Sequence, residues 1–429
     1  MSRLQRRGRQ VKPAMMESME QRMMLSVTTT PHFGSSTFNI TSYGASTSSS
    51  NNAADIQAAI NAASAASGGG TVIVPSGTFL SGALTLKSNV NLEINGQLEM
   101  LSMSNWSSDT TDFITGKNLT NVEISGSGTI NGQGQAWWAA DGSSSSRPKE
   151  VVISDSSDIE ITGITLTDSP MEHIQIQNTC NQVTINGIKI ATDVGEASTS
   201  YNTDGIDISG QHEIIENCSI TTGDDDIAIG ANSSTSGGTS DVTVTNCTFG
   251  GSSAVKSADL QGHGLSIGSN VVNNVSNVTV SNCTFNDTDF GIRIKSPSGS
   301  AGIVSNITYT NITMNGVRDD AIFFDDDYDS TPTLSNSVSA PTSGAEYEDI
   351  TMTGITMNNC AAAGYFLGAK DDIISNVKIQ LSGTASKPFE IAYAGTSASP
   401  INFSGSTFTV NGSTTNRVEV FSDSYITGD

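Results

Sequence analysis

A short motif that recurs along the chain constrains the possible fold more than any other feature. In "YNTDGIDISG", residues 201–210, an acidic residue stands just before a pair of alternating apolar residues. Five other stretches align on that apolar pair, namely "EHIQI" at 172–176, "DDIAI" at 225–229, "HGLSI" at 263–267, "FGIRI" at 290–294 and "DAIFF" at 320–324. The copies are 21 to 38 residues apart. Self-similarity on this scale is typical of a repeat architecture.

A second pattern runs in parallel with the first. Runs such as "NVEISGSGTI" from Asn121 and "DVTVTNCTF" from Asp241 alternate β-branched and polar residues and end at turn-forming residues. They predict at least two short strands in each repeat, and no long segment of helical periodicity lies between them. The sequence therefore predicts an all-β, right-handed parallel β-helix in which each repeat forms one coil. The Ala-rich segment 51–67 predicts a helix that caps the N-terminal end of the coil stack, starting at Asn51 or Asn52.

Three of the five cysteines occupy the same slot of the repeat, after an asparagine. They are Cys218, Cys247 and Cys283. Equivalent slots of a solenoid stack on one another, so we expect a column of small buried side chains. The spacing fits neither a metal site nor a disulfide framework.

The charge of the chain restricts its partners. The net charge is −24, and the first 22 residues are basic, so the remainder is more acidic still. This body is not expected to bind nucleic acid, whose phosphates require a basic surface. An acidic ligand would need a local cationic site. No apolar run approaches the length of a membrane span.

The N-terminal segment differs from the rest in composition. Residues 1–30 are basic and rich in Met, and their apolar runs are too short for an ordinary signal-peptide core. The piece "MESMEQRMMLS" resembles segments that precede the mature part of some bacterial surface and exported proteins. We expect an export segment without fixed structure here, an untargeted tail being the alternative. Residues 36–429 are then a single catalytic domain, located outside the cell or on a bacterial cell surface.

Stacking of the repeats predicts a cluster of chemically active side chains. Coils of a parallel β-helix are about 4.8 Å apart, so aligned positions form columns. One column holds Asp204, Asp225 and His263, with Asp224 one position earlier. Two consecutive aspartates can both face this surface only if the chain bends, and Gly223 just before them makes a bend plausible.

The fourth copy of the motif adds positive charge to the same face. Arg293 and Lys295 are two residues apart on one strand, so both point outward. Neighbouring carboxylates push each other's pKa values apart, and a protonated and an ionised carboxyl together can cleave a glycosidic bond. An Arg and a Lys side by side can hold a substrate carboxylate. The residues therefore predict an enzyme that cleaves an acidic sugar polymer.

At these residues the chain resembles glycoside hydrolase family 28, the polygalacturonases and their relatives. Four motifs carry the resemblance, in order: "NTDG" at 202–205, "GDD" at 223–225, "GHG" at 262–264 and "RIK" at 293–295. It extends over residues 38–330. It implies a pectin lyase-like solenoid, a monomer that hydrolyses α-1,4-galacturonosidic bonds of pectin with inversion, and no metal or other cofactor.

The resemblance also implies a role for each site residue. Asp224 would be the general acid, and Asp204 and Asp225 would activate the attacking water. His263 would tune the acid or contact the sugar. Arg293 and Lys295 would hold the galacturonate carboxylate, and Asn202, also a predicted substrate-binding residue, would orient its neighbours by hydrogen bonds. Two further substrate-binding residues are predicted from their positions alone: His173 in the same column region and Tyr328 in an acidic loop. Adjacent coils are spaced like the carboxyls of retaining enzymes, so inversion follows from the resemblance and not from the spacing.

Several alternatives stay open at this point. The substrate is either polygalacturonate or a rhamnogalacturonan or other decorated pectin. A calcium-dependent pectate lyase and a non-catalytic β-helical protein for adhesion or carbohydrate binding are rival classes. The acidic loop "FFDDDYDS" at 323–330 is either a calcium site or a solvated loop. Trp137 and Trp138 are either sugar platforms or residues packed beneath a loop.

Overall fold

The computed structural model describes residues 30–141, 146–192, 200–250, 262–328, 331–340, 344–368, 374–375, 377–422 and 424–428. The predicted export segment therefore lies outside the described residues, apart from its last position. The described strands form one continuous stack in which the paired strands run parallel. The predicted all-β parallel β-helix is confirmed.

The strands are numbered in chain order. In the N-terminal half they are β1 Thr37–Asn39, β2 Gly70–Val74, β3 Thr78–Ser81, β4 Leu84–Thr85, β5 Val90–Ile94, β6 Gln97–Met100, β7 Ile114–Lys117, β8 Thr120–Gly126, β9 Thr129–Asn131, β10 Val151–Ser154, β11 Ser157–Thr162, β12 Thr165–Thr167, β13 Ile174–Asn186, β14 Lys189–Ala191, β15 Ile206–Glu216 and β16 Ser219–Thr221. In the C-terminal half they are β17 Ile227–Ala231, β18 Thr239–Thr245, β19 Thr248–Gly250, β20 Leu265–Val271, β21 Val275–Ser281, β22 Thr284–Asn286, β23 Ile292–Lys295, β24 Ile303–Asn315, β25 Ile322–Asp325, β26 Glu346–Leu367, β27 Ile374–Ser375, β28 Lys378–Ala392, β29 Ile401–Asn402, β30 Thr409–Val410, β31 Val418–Val420 and β32 Ile426–Thr427.

The alignment of the sequence repeats is the register of the stack. The first apolar residue of each motif pairs with that of the next coil, in the order Ile174, Ile206, Ile227, Leu265, Ile292 and Ile322. All six side chains are fully buried. Burying one such side chain contributes roughly 2 kcal/mol, so the column both fixes the register and stabilises the stack.

The turns between strands recur in the same conformation from coil to coil. Asn217, Asn246 and Asn282 adopt left-handed backbone conformations, with φ between 54° and 57°. Asparagine tolerates this conformation better than most residues. The cysteine after each of these residues is buried, as are the other two, and no cysteine is in a disulfide. The predicted column of small buried residues is confirmed.

Among the residues that the structure describes, two helices accompany the stack. Helix α1, Ala53–Ala65, buries Ile56 and Ile60 against the first strands and covers the N-terminal end of the core, as predicted. The side chain of Asn51 accepts a hydrogen bond from the Ala53 amide at 2.9 Å at its start. Helix α2, Gln135–Asp141, is short. Two 3-10 turns, Ile40–Tyr43 and Met103–Asn105, complete the helical elements.

The two tryptophans of α2 are packing residues. Trp137 and Trp138 are 3% and 2% exposed, and Trp138 donates a hydrogen bond to the carbonyl of Pro170. This excludes them as sugar platforms and supports the alternative reading. Within the described part of the chain, no helix combines the length and the apolarity needed to cross a membrane.

Candidate active site

A cleft of about 350 Å³ lies on the face of the stack that carries the aligned motifs. The predicted site residues that line it are Asn202, Asp204, Asp224, Asp225, Lys295 and Tyr328. Asp204, Asp225 and His263 each lie just before a strand, so the core column of isoleucines sets their positions. The backbone amide of Gly205 donates to the carbonyl of Asp225, which fixes the first two coils side by side.

Asp225 is the most strongly held carboxylate of the cleft. Its Oδ1 accepts hydrogen bonds from Arg293 at 3.0 Å and from Ser266 at 2.7 Å, and its Oδ2 accepts one from Lys295 at 2.8 Å. Burial alone would raise its pKa. The charges of Lys295 and Arg293 outweigh burial and hold the pKa of Asp225 far below its ordinary value. Asp225 is therefore ionised at every pH at which the protein is expected to work.

Asp224 forms an ion pair with His263. The Nδ1 atom of His263 lies 3.1 Å from Oδ1 of Asp224 and 3.6 Å from Oδ1 of Asp225. Burial opposes a charged imidazole, but the charge of Asp224 prevails and the pKa of His263 rises to about 9. Burial likewise opposes the ionised form of Asp224, yet the charge of His263 brings the pKa of Asp224 below its ordinary value. In the free protein the pair is thus a carboxylate beside an imidazolium.

Asp204 has the opposite environment. It is 9% exposed, and its pKa is raised well above the ordinary value by burial and by the charges of Asp207 and Asp224. Burial and the neighbouring Glu172 raise the pKa of Asp207 in the same way. Asp207 lines the cleft. The prediction that crowded carboxylates separate in pKa fits this cluster, because the pKa of Asp204 is raised and that of Asp225 is lowered.

The chain bends at the two aspartates as predicted, and Gly223 has a specific reason to be glycine. A Cβ atom at this position would lie 2.4 Å from Oγ of Ser200 and 2.7 Å from Oγ1 of Thr203. The glycine is required because the loop 200–203 approaches it closely, and not because its backbone angles are unusual. That loop also holds Asp224, because the backbone amide of Asn202 donates to its Oδ2 at 2.8 Å. Asn202 thus orients its neighbour, through its main chain.

Arg293 and Lys295 differ from their predicted arrangement. Both were expected to point into the cleft toward a substrate carboxylate, but they are 2% and 4% exposed and are paired with Asp225. Lys295 lines the cleft, whereas the guanidinium of Arg293 packs 4.3 Å from the ring centroid of Phe290. Asp225 is a buried carboxylate, and a buried charge is stable only when it is paired, so it holds both cations.

Of the two further residues predicted to bind substrate, Tyr328 lies at the cleft and His173 does not. The ring of Tyr328 lies in the cleft wall, 4.8 Å from Nζ of Lys295, where a sugar can reach it. His173 is fully buried, so the prediction that it binds substrate is wrong for this structure. Its Nδ1 donates to the carbonyl of Asp204 at 3.1 Å, and its Nε2 accepts from the Ser169 amide. Burial lowers the pKa of His173 to about 4, so the ring is neutral, and its hydrogen bond supports the main chain of Asp204 on the side away from the cleft.

The comparisons with known proteins agree with this geometry. The sequence profile described as "Glycosyl hydrolases family 28" matches residues 66–400, which is most of the chain. This chain belongs to glycoside hydrolase family 28. It is 32% identical over 298 residues to a polygalacturonase from Cochliobolus carbonum, an alignment that covers 68% of this chain and 73% of the relative.

Two further similarities support the assignment to family 28. A probable polygalacturonase from Arabidopsis thaliana is 33% identical over 261 residues, or 58% of this chain. That alignment covers 52% of the relative, so the chain spans about half of its length. The structure of a polygalacturonase from Erwinia carotovora ssp. carotovora superposes with a TM-score of 0.60 at 27% identity, covering 91% of this chain and 97% of that one.

One group in the described residues of this family 28 chain has the spacing of a metal site. Ligand atoms of Asp224, Asp225 and His263 lie within 4.8 Å of one another. These residues do not fit the role, because both oxygens of Asp225 already contact cations and a metal would need a neutral imidazole at His263. The group is equipped for proton transfer instead.

The sequence analysis left the acidic segment 323–330 as either a calcium site or a solvated loop, and its described part, residues 323–328, is not a solvated loop. Asp325 and Asp326 are fully buried. Asp325 accepts hydrogen bonds from the Asp327 amide at 2.8 Å and from the Thr331 hydroxyl at 2.9 Å, and Ser296 donates to Asp326. Burial raises the pKa of Asp325 to about 6. These carboxyls hold the loop that carries Tyr328.

Ser266 is a site residue that the sequence analysis missed. It binds Asp225 directly and is fully buried. A signal was available, because Ser266 pairs with Arg293 and Ala228 in the register and is therefore an outward position of the same motif. Asp226, the residue after Asp225, is fully buried and accepts a hydrogen bond from Thr222, so it is a structural residue of the same turn.

Proposed function

We propose that this protein hydrolyses α-1,4 bonds between galacturonic acid units of pectin. The observation that carries the proposal is the Asp224–His263 ion pair on the same patch as the ionised Asp225. This arrangement supplies a proton source and a carboxylate a few ångströms apart in a cleft. The relatives with polygalacturonase in their names support the substrate class.

In the proposed reaction, Asp224 protonates the leaving glycosidic oxygen as its bond to the anomeric carbon breaks. A water molecule attacks that carbon and gives a proton to the carboxylate of Asp225, which lies beside Asp204. The lowered pKa of Asp224 is compatible with this role, because the required proton lies 3.1 Å away on His263 and the two groups titrate as a pair. Substrate that excludes water and brings its own negative charge favours transfer of this proton to Asp224.

Lys295 and Tyr328 are the proposed contacts for a substrate carboxylate. Lys295 is the cation of the cleft wall, and the aromatic ring beside it offers a surface for a sugar. Arg293 acts behind them by sharing the charge of Asp225, which leaves Lys295 free to turn to a substrate carboxylate. This local positive charge is needed because the chain as a whole carries −24.

A decorated pectin such as rhamnogalacturonan is the second candidate. One observation favours it: Glu172 and Asp207 line the cleft, and burial raises the pKa of each. A raised pKa favours the neutral form of these carboxyls, which can hydrogen-bond the hydroxyls of an uncharged sugar, whereas their ionised form would repel galacturonate. Of the cations, Lys149 contacts Glu172 at 3.1 Å and offsets only part of this charge.

We further propose that hydrolysis inverts the anomeric centre and that the protein acts outside the cell as a monomer. The test is an assay of purified protein on polygalacturonate, methyl-esterified pectin and rhamnogalacturonan, with and without chelator. New reducing ends on polygalacturonate support the proposal, and ¹H NMR of the first product gives its anomeric form. A calcium requirement with unsaturated products that absorb in the ultraviolet would replace the hydrolase with a lyase. Binding without cleavage of any of these polymers would favour a non-catalytic role.

A further inference from the structure

A second carboxylate lies against the side of the His263 ring that faces away from Asp224. Oδ2 of Asp289 is 3.9 Å from Nε2 of His263, whereas Nδ1 of the same ring is 3.1 Å from Asp224. Oδ1 of Asp289 forms an ion pair with Nη2 of Arg318. His263 is thus placed between two carboxylates, and the outer one is tied to a cation.

The backbone holds this arrangement across three successive coils. The amide of Asp289 donates to the carbonyl of Gly262 at 3.0 Å, just before His263. On the other side, the amide of Asp319 donates to the carbonyl of Asp289 at 2.8 Å, just after Arg318. The Phe290 ring packs edge-on against His263, with 5.8 Å between centroids. Asp289 therefore has a fixed position behind the imidazole, without lining the cleft.

We propose that Asp289 is a positioning residue that keeps His263 protonated and directed at Asp224, and that Arg318 limits the strength of this effect. A carboxylate on the far side of the ring stabilises the imidazolium by its charge and retains the ring orientation in which Nδ1 faces Asp224. The positive charge of Arg318 offsets part of the effect that the Asp289 carboxylate has on the ring. The Asp224–His263 pair consequently depends on a residue that touches neither substrate nor cleft.

Other charged groups also act on His263. Asp224, Asp225 and Asp226 favour the imidazolium, while Arg293 and burial oppose it. The pKa of His263, about 9, is the balance of these effects. Asp289 differs from Asp224 and Asp225 in being removable without loss of a proposed reacting group.

The test uses Asp289→Asn, Arg318→Gln and the control Asp287→Asn in the full chain. Asp287 is an exposed carboxylate two residues from Asp289. The pKa of the His263 imidazole is measured by NMR with labelled histidine, which is practical because the chain has only 4 His. The alkaline limb of the pH–rate profile on polygalacturonate is measured in parallel, and this arm alone relies on the proposed function.

The two variants should move the His263 pKa in opposite directions. Asp289→Asn should lower it by about one unit, and Arg318→Gln should raise it, while Asp287→Asn leaves it unchanged. The alkaline limb should follow each shift. An unchanged pKa in Asp289→Asn, or a shift of the same sign in both variants, would overturn the proposal. Absence of any hydrolysis by the wild type would instead contradict the proposed function, and the NMR arm would still decide the role of Asp289.

Discussion

At the scale of single residues, Asp224 and Asp225 show how adjacent side chains of the same type acquire different chemistry. Asp225 is paired with two buried cations and a serine hydroxyl, so it is ionised in the free protein. Asp224 faces an imidazolium, which carries a proton that can be transferred. The bend after Gly223 places both in the cleft, and their different partners then assign their different roles.

Lys295→Met should change the pH dependence of activity as well as its level. Removing this cation raises the pKa of Asp225, because Lys295 is the largest of the charges that lower it. Asp225 is needed as a carboxylate, so loss of activity on the acid side should begin at a higher pH than in the wild type. Lys387→Met, at an exposed position in β28, is the control. The pH–rate profiles of both variants check this, and an unmoved acid limb in Lys295→Met would contradict the pairing.

The sequence predicted most of the individual site residues for a clear physical reason. Stacking coils bring aligned positions together, so Asp204, Asp225 and His263 could be placed in one column from their spacing alone. His173 was misassigned because its own alignment pairs it with Gly205, at a position that turns inward. The internal pairing of Arg293 with Asp225 could not be predicted, since spacing does not reveal whether a cation prefers a substrate or a neighbouring carboxylate.

At the scale of elements, the repeat register was almost fully predictable, and Glu213 is its most informative exception. On β15 this glutamate occupies the core column between Val183 and Val242, and it is fully buried. Neither of its carboxyl oxygens has a hydrogen-bond partner among the described residues. Periodicity alone would have put an apolar residue here. Burial raises the pKa of Glu213 well above its ordinary value, so the side chain is held in the neutral form.

Glu213→Val should therefore stabilise the fold, and more so at higher pH. Replacing an unpaired buried polar group gains about 1–3 kcal/mol where the acid is neutral in both states. Above the ordinary glutamate pKa of about 4.3, the unfolded wild type releases a proton that the folded wild type retains, so wild-type stability falls as pH rises. Denaturant unfolding at pH 4 and pH 8 measures the difference. Glu216→Val, at an outward position of β15, should show no comparable gain.

Gly223→Ala tests whether the loop 200–203 positions the acid. The added Cβ would lie 2.4 Å from Oγ of Ser200 and 3.2 Å from its carbonyl oxygen, so the Ser200 side chain must turn away and the loop that holds Asp224 through the Asn202 amide should shift. A displacement near 1 Å can reduce turnover by about 10²-fold. We expect a loss of that order in kcat/KM with a small change in stability. Gly82→Ala places its Cβ no closer than 3.5 Å to any atom and should retain activity, and equal losses in both variants would contradict this role.

At the scale of the whole molecule, a strongly acidic body surrounds a site that we propose for an acidic polymer. The net charge of −24 repels polygalacturonate at long range, while Lys295 and Arg293 are the cations close to the reacting groups. Long-range repulsion is screened over about 10 Å at 0.1 M salt and over about 30 Å at 0.01 M, whereas contacts within the cleft are screened much less. The two effects can therefore be separated by ionic strength.

Raising the salt concentration from 0.01 M to 0.1 M should lower KM for polygalacturonate several-fold and leave kcat nearly unchanged, because only the approach of the polymer is affected. A highly methyl-esterified pectin carries few charges and should respond weakly. Initial rates on both polymers at matched pH provide the comparison. A KM that increases with salt would mean that attraction, and not repulsion, dominates the encounter.

The most direct test of the account is the release of reducing ends from polygalacturonate by wild type and Asp224→Asn in the presence of chelator. The amide keeps the shape of the side chain but cannot carry the proton that the leaving oxygen needs, so turnover should fall on the order of 10²-fold or more. Binding of galacturonate oligomers and the unfolding midpoint should stay close to those of the wild type, which should itself be fully active with chelator. Near wild-type turnover by Asp224→Asn would contradict the assignment of the acid, and loss of wild-type activity on chelation would contradict a metal-free hydrolysis.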